Sequence, residues 1–150
     1  MNPLVPPPVV AAIVGAVMWA LDRRLELGKF ESALQAPVAG ILLIVGLLLM
    51  LSAVASLVAA RTTVNPLRPS RASSLVTTGI FRISRNPIYL GDLVVLAALA
   101  VWLGNAVSAL LLVPFVAYIN RFQIIPEEHA LTKLFGPSYI AYCSRVRRWL

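Results

Sequence analysis

Residues 37–60 read PVAGILLIVGLLLMLSAVASLVAA, a run of 24 residues without one charge. About 20 consecutive apolar residues are enough for a helix to cross the hydrocarbon of a bilayer, so this stretch predicts a membrane-spanning helix. Composition points the same way: of 150 residues 59% are hydrophobic and 13% charged, with mean hydropathy +0.85. Soluble domains run about 45–50% apolar and about 25% charged. Outward from this run lie three further apolar segments, at about 5–25, 88–103 and 106–125. The first has an apolar centre of only 9–21, and reaches spanning length if its flanks, Arg23 and Arg24 among them, lie in the interfaces and snorkel. Leu103-Gly104-Asn105-Ala106 predicts a tight turn that makes spans three and four an antiparallel hairpin, and Pro114 predicts a kink in the fourth.

The charges set a topology. Residues 61–87 carry Arg61, Arg68, Arg71, Arg82 and Arg85 with no acid, and the chain from 121 carries Arg121, Lys133, Arg145, Arg147 and Arg148. Ten of the thirteen cationic residues thus fall on one side of a four-span arrangement, which the positive-inside bias makes cytoplasmic, with both termini there too. Net charge is +7, but the cations sit at the ends of apolar segments and form no solvated stripe interleaved with aromatics, which excludes nucleic acid as a partner. A single cysteine, Cys143, excludes an internal disulfide, and the single histidine, His129, reads as structural or surface, so no metal centre is expected. The first segment opens on Pro6-Pro7-Pro8 without a basic leader or a small-residue cleavage pattern, and reads as a retained span. No linker divides residues 1–150, which read as one domain, and nothing indicates an obligate protein partner.

Chemistry concentrates where polar residues meet the spans. Gly79-Ile80-Phe81-Arg82-Ile83-Ser84-Arg85-Asn86-Pro87-Ile88-Tyr89-Leu90-Gly91 leads into span three, and Glu127-Glu128 follow span four. Ionisable groups are costly near hydrocarbon, so such a strip reads as a charged-ligand site at one membrane surface. Within the loop, Val64-Asn65-Pro66 and Pro69-Ser70 are turn formers, and residues 75–79 read as a short extended piece ending at a glycine turn. Extended backbone beside a membrane is tolerated where it is buried by protein or lines a cavity. Gly91 suits close approach by a helix or a ligand. After Pro126, Leu131, Leu134 and Phe135 continue an apolar face to Gly136-Pro137, and Tyr139, Tyr142 and Val146 resume it at helical spacing. The reading is an all-α integral membrane protein: four transmembrane helices, with a cytoplasmic cap made of loop 61–87 and amphipathic helices over 126–148.

The series Leu75-Val76-Thr77-Thr78-Gly79-(x)5-Arg85-Asn86-Pro87-x-Tyr89-x-Gly91, followed by Glu127-Glu128-x-x-Leu131-x-x-x-Phe135-Gly136-x-x-Tyr139-x-x-Tyr142-x-x-x-Val146-x-Arg148, resembles the isoprenylcysteine carboxyl methyltransferase family. The wider group includes the membrane phospholipid N-methyltransferases. The resemblance covers roughly residues 62–150 and begins at Thr62-Thr63-Val64-Asn65-Pro66. It implies an integral-membrane methyltransferase that uses S-adenosylmethionine without a Rossmann domain. Carried over residue by residue, Leu75, Val76 and Phe81 would line the adenine or ribose side of the cofactor. Asn86, Pro87 and Tyr89 would form the turn around it, and Glu127, with Glu128, would meet its polar part. Arg85 and Glu127 are the candidate catalytic pair, Arg85 at the cofactor carboxylate. Prenylcysteine-directed members have an arginine four residues before the first glutamate; here that position is Gln123, with Arg121 two residues earlier, and these two are the candidate substrate residues.

The physical chemistry is consistent with that implication. S-adenosylmethionine brings an ammonium, a carboxylate and a sulfonium, which an arginine, glutamates and aromatic faces complement. In-line methyl transfer needs positioning and exclusion of water, so the absence of a Ser–His–Asp or Cys–His arrangement is no objection. A lipophilic acceptor would enter between spans: an isoprenylcysteine-like carboxylate, a lipid amine or a thiol. Two other readings stay open at this level, an NADPH-dependent membrane reductase and a non-enzymatic scaffold that keeps the fold. A transporter is disfavoured by the lack of internal repeats.

Overall fold

The computed structural model describes residues 5–63 and 72–150; the turn formers at 64–66 and 69–70, with Arg68 and Arg71, lie outside the described residues. Helices account for all the regular structure among these residues, joined by one isolated bridge between Lys29 and Asn105. In chain order they are α1 (Pro7–Arg24), α2 (Gln35–Ala59), a 3-10 turn (Gly79–Arg82), α3 (Pro87–Leu103), α4 (Ala106–Ala109), α5 (Leu112–Ile119), a π turn (Asn120–Ile124), α6 (Ile125–Phe135) and α7 (Pro137–Cys143).

Two helical runs are long and apolar enough to cross a membrane: α2, and the continuous path Ala106–Phe135 through α4, α5, the π turn and α6. The latter has 30 residues, about ten more than hydrocarbon demands, and the expected span, 106–125, is its first part. α3 is apolar over 17 residues, and α1 ends in Asp22, Arg23 and Arg24, with the Arg23 guanidinium 4.4 Å from the Trp19 ring centre. Along α2, Ile41, Ile44, Leu48 and Leu51 are each more than half exposed, at 62%, 59%, 56% and 64%. An unbroken apolar face of this kind is what lipid, rather than water, would cover.

α3 is the central helix, packed on α2, α1 and α5. Its junction with α2 is set by glycine. A Cβ on Gly91 would strike the Met50 side chain and lie 2.8 Å from the Gly46 carbonyl, so the two backbones touch only because both positions lack one. Of the two uses expected for Gly91, close approach by a helix is the one realised. Met18, Tyr89, Leu96, Phe115, Ile119 and Ile124 form the core among α1, α3 and the Ala106–Phe135 run.

The helices alternate in direction, as contacts at their two ends show. At one end the Phe30 amide donates to the Gly104 carbonyl at 2.8 Å, Gln35 Nε2 donates to the Trp102 carbonyl at 2.8 Å, and the Ser108 hydroxyl donates to the Met18 carbonyl at 3.2 Å. Asn105 caps α4 by accepting from the amides of Val107 and Ser108. At the other end Gln123 Nε2 donates to the Val5 carbonyl at 2.7 Å. The kink expected from Pro114 appears as the gap at Leu110–Leu111 between α4 and α5. Proline cannot donate to the carbonyl four residues back and its ring crowds it, so the Leu110 carbonyl takes the Val113 amide instead.

One expected boundary is corrected. Spacing predicts C-terminal helices over 126–148; α6 and α7 are separated at Gly136 as expected, but α7 ends at Cys143. Residues 144–150 run on as a strap without helix: the Arg145 and Val146 amides both turn back to the Tyr142 carbonyl at 3.1 Å, and beyond them the Arg147 carbonyl accepts the Arg85 amide at 3.0 Å, and the Arg148 carbonyl accepts Asn86 Nδ2 at 2.9 Å and the Ser84 hydroxyl at 3.3 Å. Val146 lies in that turn, past the end of α7.

Candidate functional site

At the end of the bundle where α2 finishes and α3 begins lies a cavity of about 340 Å³. That is within the range of small-molecule sites, roughly 300–1,000 Å³. The loop supplies Leu75, Val76 and Phe81, the start of α3 supplies Asn86, Pro87 and Tyr89, and α6 supplies Glu127 and Glu128. Arg85 joins them on the same wall. Every residue expected from the sequence at the cofactor therefore lines one cavity.

Local sequence explains how each is aimed. Gly79 has φ 61°, a left-handed conformation open to glycine at little cost, and it turns the extended 75–78 piece into the 3-10 turn that buries Phe81. The Tyr142 hydroxyl donates to the Phe81 carbonyl at 2.6 Å, fixing that turn to α7; burial pushes this phenol up to about 12, so it stays a donor. Pro87 occupies the first turn of α3, where its missing amide costs nothing, and the Asn86 carbonyl takes the Leu90 amide.

The neighbouring glutamates have different surroundings. Glu128 is held by two guanidiniums: Arg85 Nη1 at 3.0 Å from Oε1, and Arg148 with Nη2 at 2.7 Å from Oε2 and Nε at 3.1 Å from Oε1. A carboxylate gripped on both oxygens by a fork is fixed in place. Among the described residues Glu127 receives one bond, from the Tyr89 hydroxyl to Oε2 at 3.1 Å. Burial pushes the Glu127 carboxyl up to about 7; the Tyr89 hydroxyl pulls it back, and the Glu128 charge pushes it up again. Arg85 also donates from Nη1 to Cys143 Sγ at 2.7 Å, while its Nε is buried without a partner.

The two candidate substrate residues are not brought into this wall. Arg121 is exposed, on the outside of the π turn. Gln123 is buried, and its amide nitrogen is taken by the Val5 carbonyl. Pro7 and Pro8 of α1, Met50, Val54 and Leu57 of α2, and Tyr139 and Tyr142 of α7 also line the cavity, and sequence reasoning does not place them there. Arg148 is a further site residue that carries no role in that reasoning, although it stands last in the family-like series.

Residues 34–138 match the phospholipid methyltransferase family, more than half of the chain. The chain belongs to that family. Among curated relatives it is 37% identical over 83 residues to protein-S-isoprenylcysteine O-methyltransferase B of Arabidopsis thaliana, an alignment covering 53% of this chain and 41% of that protein. With protein-S-isoprenylcysteine O-methyltransferase A of the same plant it is 41% identical over 75 residues, covering 48% and 36%. An uncharacterized protein of Haemophilus influenzae is 44% identical over 63 residues, which is 42% of this chain and all of that protein. The matched region thus spans about two fifths of each plant enzyme. No solved structure matches the chain. The cavity, the Arg85–Glu128–Arg148 cluster and the Tyr89–Glu127 pair draw mainly on residues within the family region and on the strap that follows it.

Proposed function

We propose that the chain is an integral-membrane methyltransferase that binds S-adenosylmethionine in the cavity and transfers its methyl group in line to a lipophilic acceptor. In this reading four helices span the membrane, the cavity opens on the cytoplasmic side, and both termini lie there.

The observation that carries the reading is the donor set on the cavity wall. Arg85 retains an unpartnered buried Nε, a donor that asks for an anion. Glu127 has one bond from the protein and capacity for a cation. Phe81 and Tyr89 give aromatic surface, and Leu75, Val76 and Leu131 an apolar floor. An orphan guanidinium nitrogen and an under-bonded carboxylate match the carboxylate and ammonium of the donor, and aromatic faces match a sulfonium. The donor when bound supplies an electrophilic methyl; the chain's residues orient it, hold its charged end and keep water out. Glu128 holds Arg85 in place, and Arg148 holds Glu128.

A scaffold that had lost its chemistry would be expected to close its pocket with its own side chains, and a cavity of about 340 Å³ favours the enzyme. The test is calorimetric titration of the purified chain with S-adenosylhomocysteine, with NADPH in parallel. Micromolar binding of the former and no response to the latter is expected. The reverse result would favour a reductase, and silence from both would favour a scaffold.

A further inference from the structure

A second hollow, of about 250 Å³, is lined by Thr77, Arg82, Tyr142, Arg145 and Val146. Tyr142 is the residue it shares with the larger cavity. Its polar equipment is two guanidiniums and a hydroxyl, with no carboxyl group among them. Among the described residues the ion pairs are Lys29–Glu26, Arg85–Glu128 and Arg148–Glu128, and neither Arg82 nor Arg145 takes part in one. Arg145 spends its Nε on the Ala141 carbonyl at 3.2 Å, which leaves both Nη atoms to a further acceptor. Two like charges on one hollow repel unless an anion sits between them. A phosphate has oxygens enough for both forks.

Position indicates what carries that phosphate. The 3-10 turn of Arg82 packs on α2 and leads into α3, so the hollow lies at the level where these apolar helices end. Ile83, next to Arg82, is 58% exposed, and Ile140 of α7 is 59% exposed. Exposed isoleucines beside unpaired arginines fit a membrane interface, with the apolar groups toward hydrocarbon and the charges among headgroups. A zwitterionic headgroup brings its own cation, for which the hollow has no carboxylate. A lipid of net negative charge matches it.

We propose that this hollow holds the phosphate of an anionic phospholipid between Arg82 and Arg145, with the Thr77 hydroxyl as a neutral donor, and that the bound lipid steadies the wall of the larger cavity. The path of that coupling is short. Thr77 and Arg82 flank Phe81, and Arg145 follows Tyr142 in the turn after α7. The Tyr142 hydroxyl donates to the Phe81 carbonyl at 2.6 Å, and both residues line the larger cavity. A phosphate between Arg82 and Arg145 therefore ties together the same two segments as that bond. The lipid site rests on the chain's place in a membrane, and only the coupling rests on the methyltransferase reading.

The experiment uses the full chain with two readouts. Native mass spectrometry from micelles holding equal phosphatidylglycerol and phosphatidylcholine should show the anionic lipid retained at least about fivefold over the other. Arg82→Gln with Arg145→Gln should bring that ratio near parity, and the two lysine substitutions at the same positions should restore part of it. Arg121→Gln with Lys133→Gln removes the same charge from exposed residues outside the hollow and should keep most of the preference. Equal loss in both double variants would mean diffuse attraction and overturn the site. Displacement of phosphatidylglycerol by millimolar inorganic phosphate would assign the hollow to a soluble phosphate and overturn the lipid. In bilayer discs, S-adenosylhomocysteine should bind about fivefold tighter with phosphatidylglycerol than without it, and equally in both discs for the Arg82→Gln, Arg145→Gln chain. Intact binding of equal strength in the two discs for the unaltered chain overturns the coupling. No binding in either disc strikes the methyltransferase reading instead, and the lipid preference then stands or falls on the mass spectra.

Discussion

Glu127 and Glu128 are adjacent in sequence and opposite in condition, which is a fact about their neighbours. Glu128 is neutralised by Arg85 and Arg148 and acts as a fixed anchor. Among the described residues Glu127 has only the Tyr89 hydroxyl, and burial holds its carboxyl up to about 7 against an ordinary 4.5. The sign of the pH effect follows. With the folded value above the unfolded one, the native state binds the proton more tightly, so stability is greatest below the unfolded value and falls as pH rises through about 7. We expect the thermal midpoint of the ligand-free protein to drop between about pH 5 and 8, and Glu127→Gln to remove most of that slope. A cationic ligand prefers the ionised carboxylate, so S-adenosylhomocysteine affinity should rise over the same interval in the unaltered chain and stay flat in Glu127→Gln. Titration of both proteins at several pH values checks this. The pair is legible in the sequence as an acidic helix start. The difference between its members is not, because Tyr89 and Arg148 lie 38 and 20 residues away from their partners.

Among the elements, α2 and α3 meet through backbone. Gly91→Ala would force its new carbon against Met50 and the Gly46 carbonyl, separating the helices that carry both sides of the cavity. Destabilisation of about 1–3 kcal/mol is expected. Gly40→Ala, where a Cβ meets nothing within 4 Å, is the control and should be neutral or slightly stabilising in the same denaturation series. The strap is the other element that matters. It makes three backbone-carbonyl contacts to residues 84–86, and Trp149 Nε1 donates to Asn120 Oδ1 at 3.1 Å. Deleting residues 145–150 should therefore weaken S-adenosylhomocysteine binding at least about tenfold while leaving helical content nearly intact, since the deleted residues are not helical. Circular dichroism beside calorimetry separates the two effects. Sequence spacing locates α6, α7 and the glycine between them, yet extends the helix to 148. The apolar period of Tyr139, Tyr142 and Val146 continues past Cys143, but the chain turns there on the Tyr142 carbonyl, and the Arg147 and Arg148 carbonyls bond to residues 84–86.

For the whole molecule, the alternating directions of α1, α2, α3 and the Ala106–Phe135 run put Val5 and the C-terminal strap at the cavity end and residues 25–34 at the other. In a Cys143→Ser background, Ser144→Cys should label from the same membrane face as a tag at the N-terminus, and Ser32→Cys from the opposite face. Labelling of both from one face would refute the four-span topology. Much of this arrangement is legible in the residues alone. Apolar length locates the two helical runs long enough to cross a membrane, the absence of charge in α2 its apolar face, and the Arg85-to-Tyr89 and Glu127-Glu128 series residues that line the cavity, because hydrophobic length and backbone-restricting residues act locally. Arg121 and Gln123 show where that reasoning stops: both follow the same helix, and only the π turn and the Val5 contact send one outward and bury the other. The sequence by itself determined that this chain is helical, belongs in a membrane and carries most of its cationic charge at one end. Tertiary structure alone decided which charge neutralises which, where the last helix ends, and that Asp92 and Gln123 are left with buried oxygens unpaired, since those outcomes depend on distances between residues far apart in the chain.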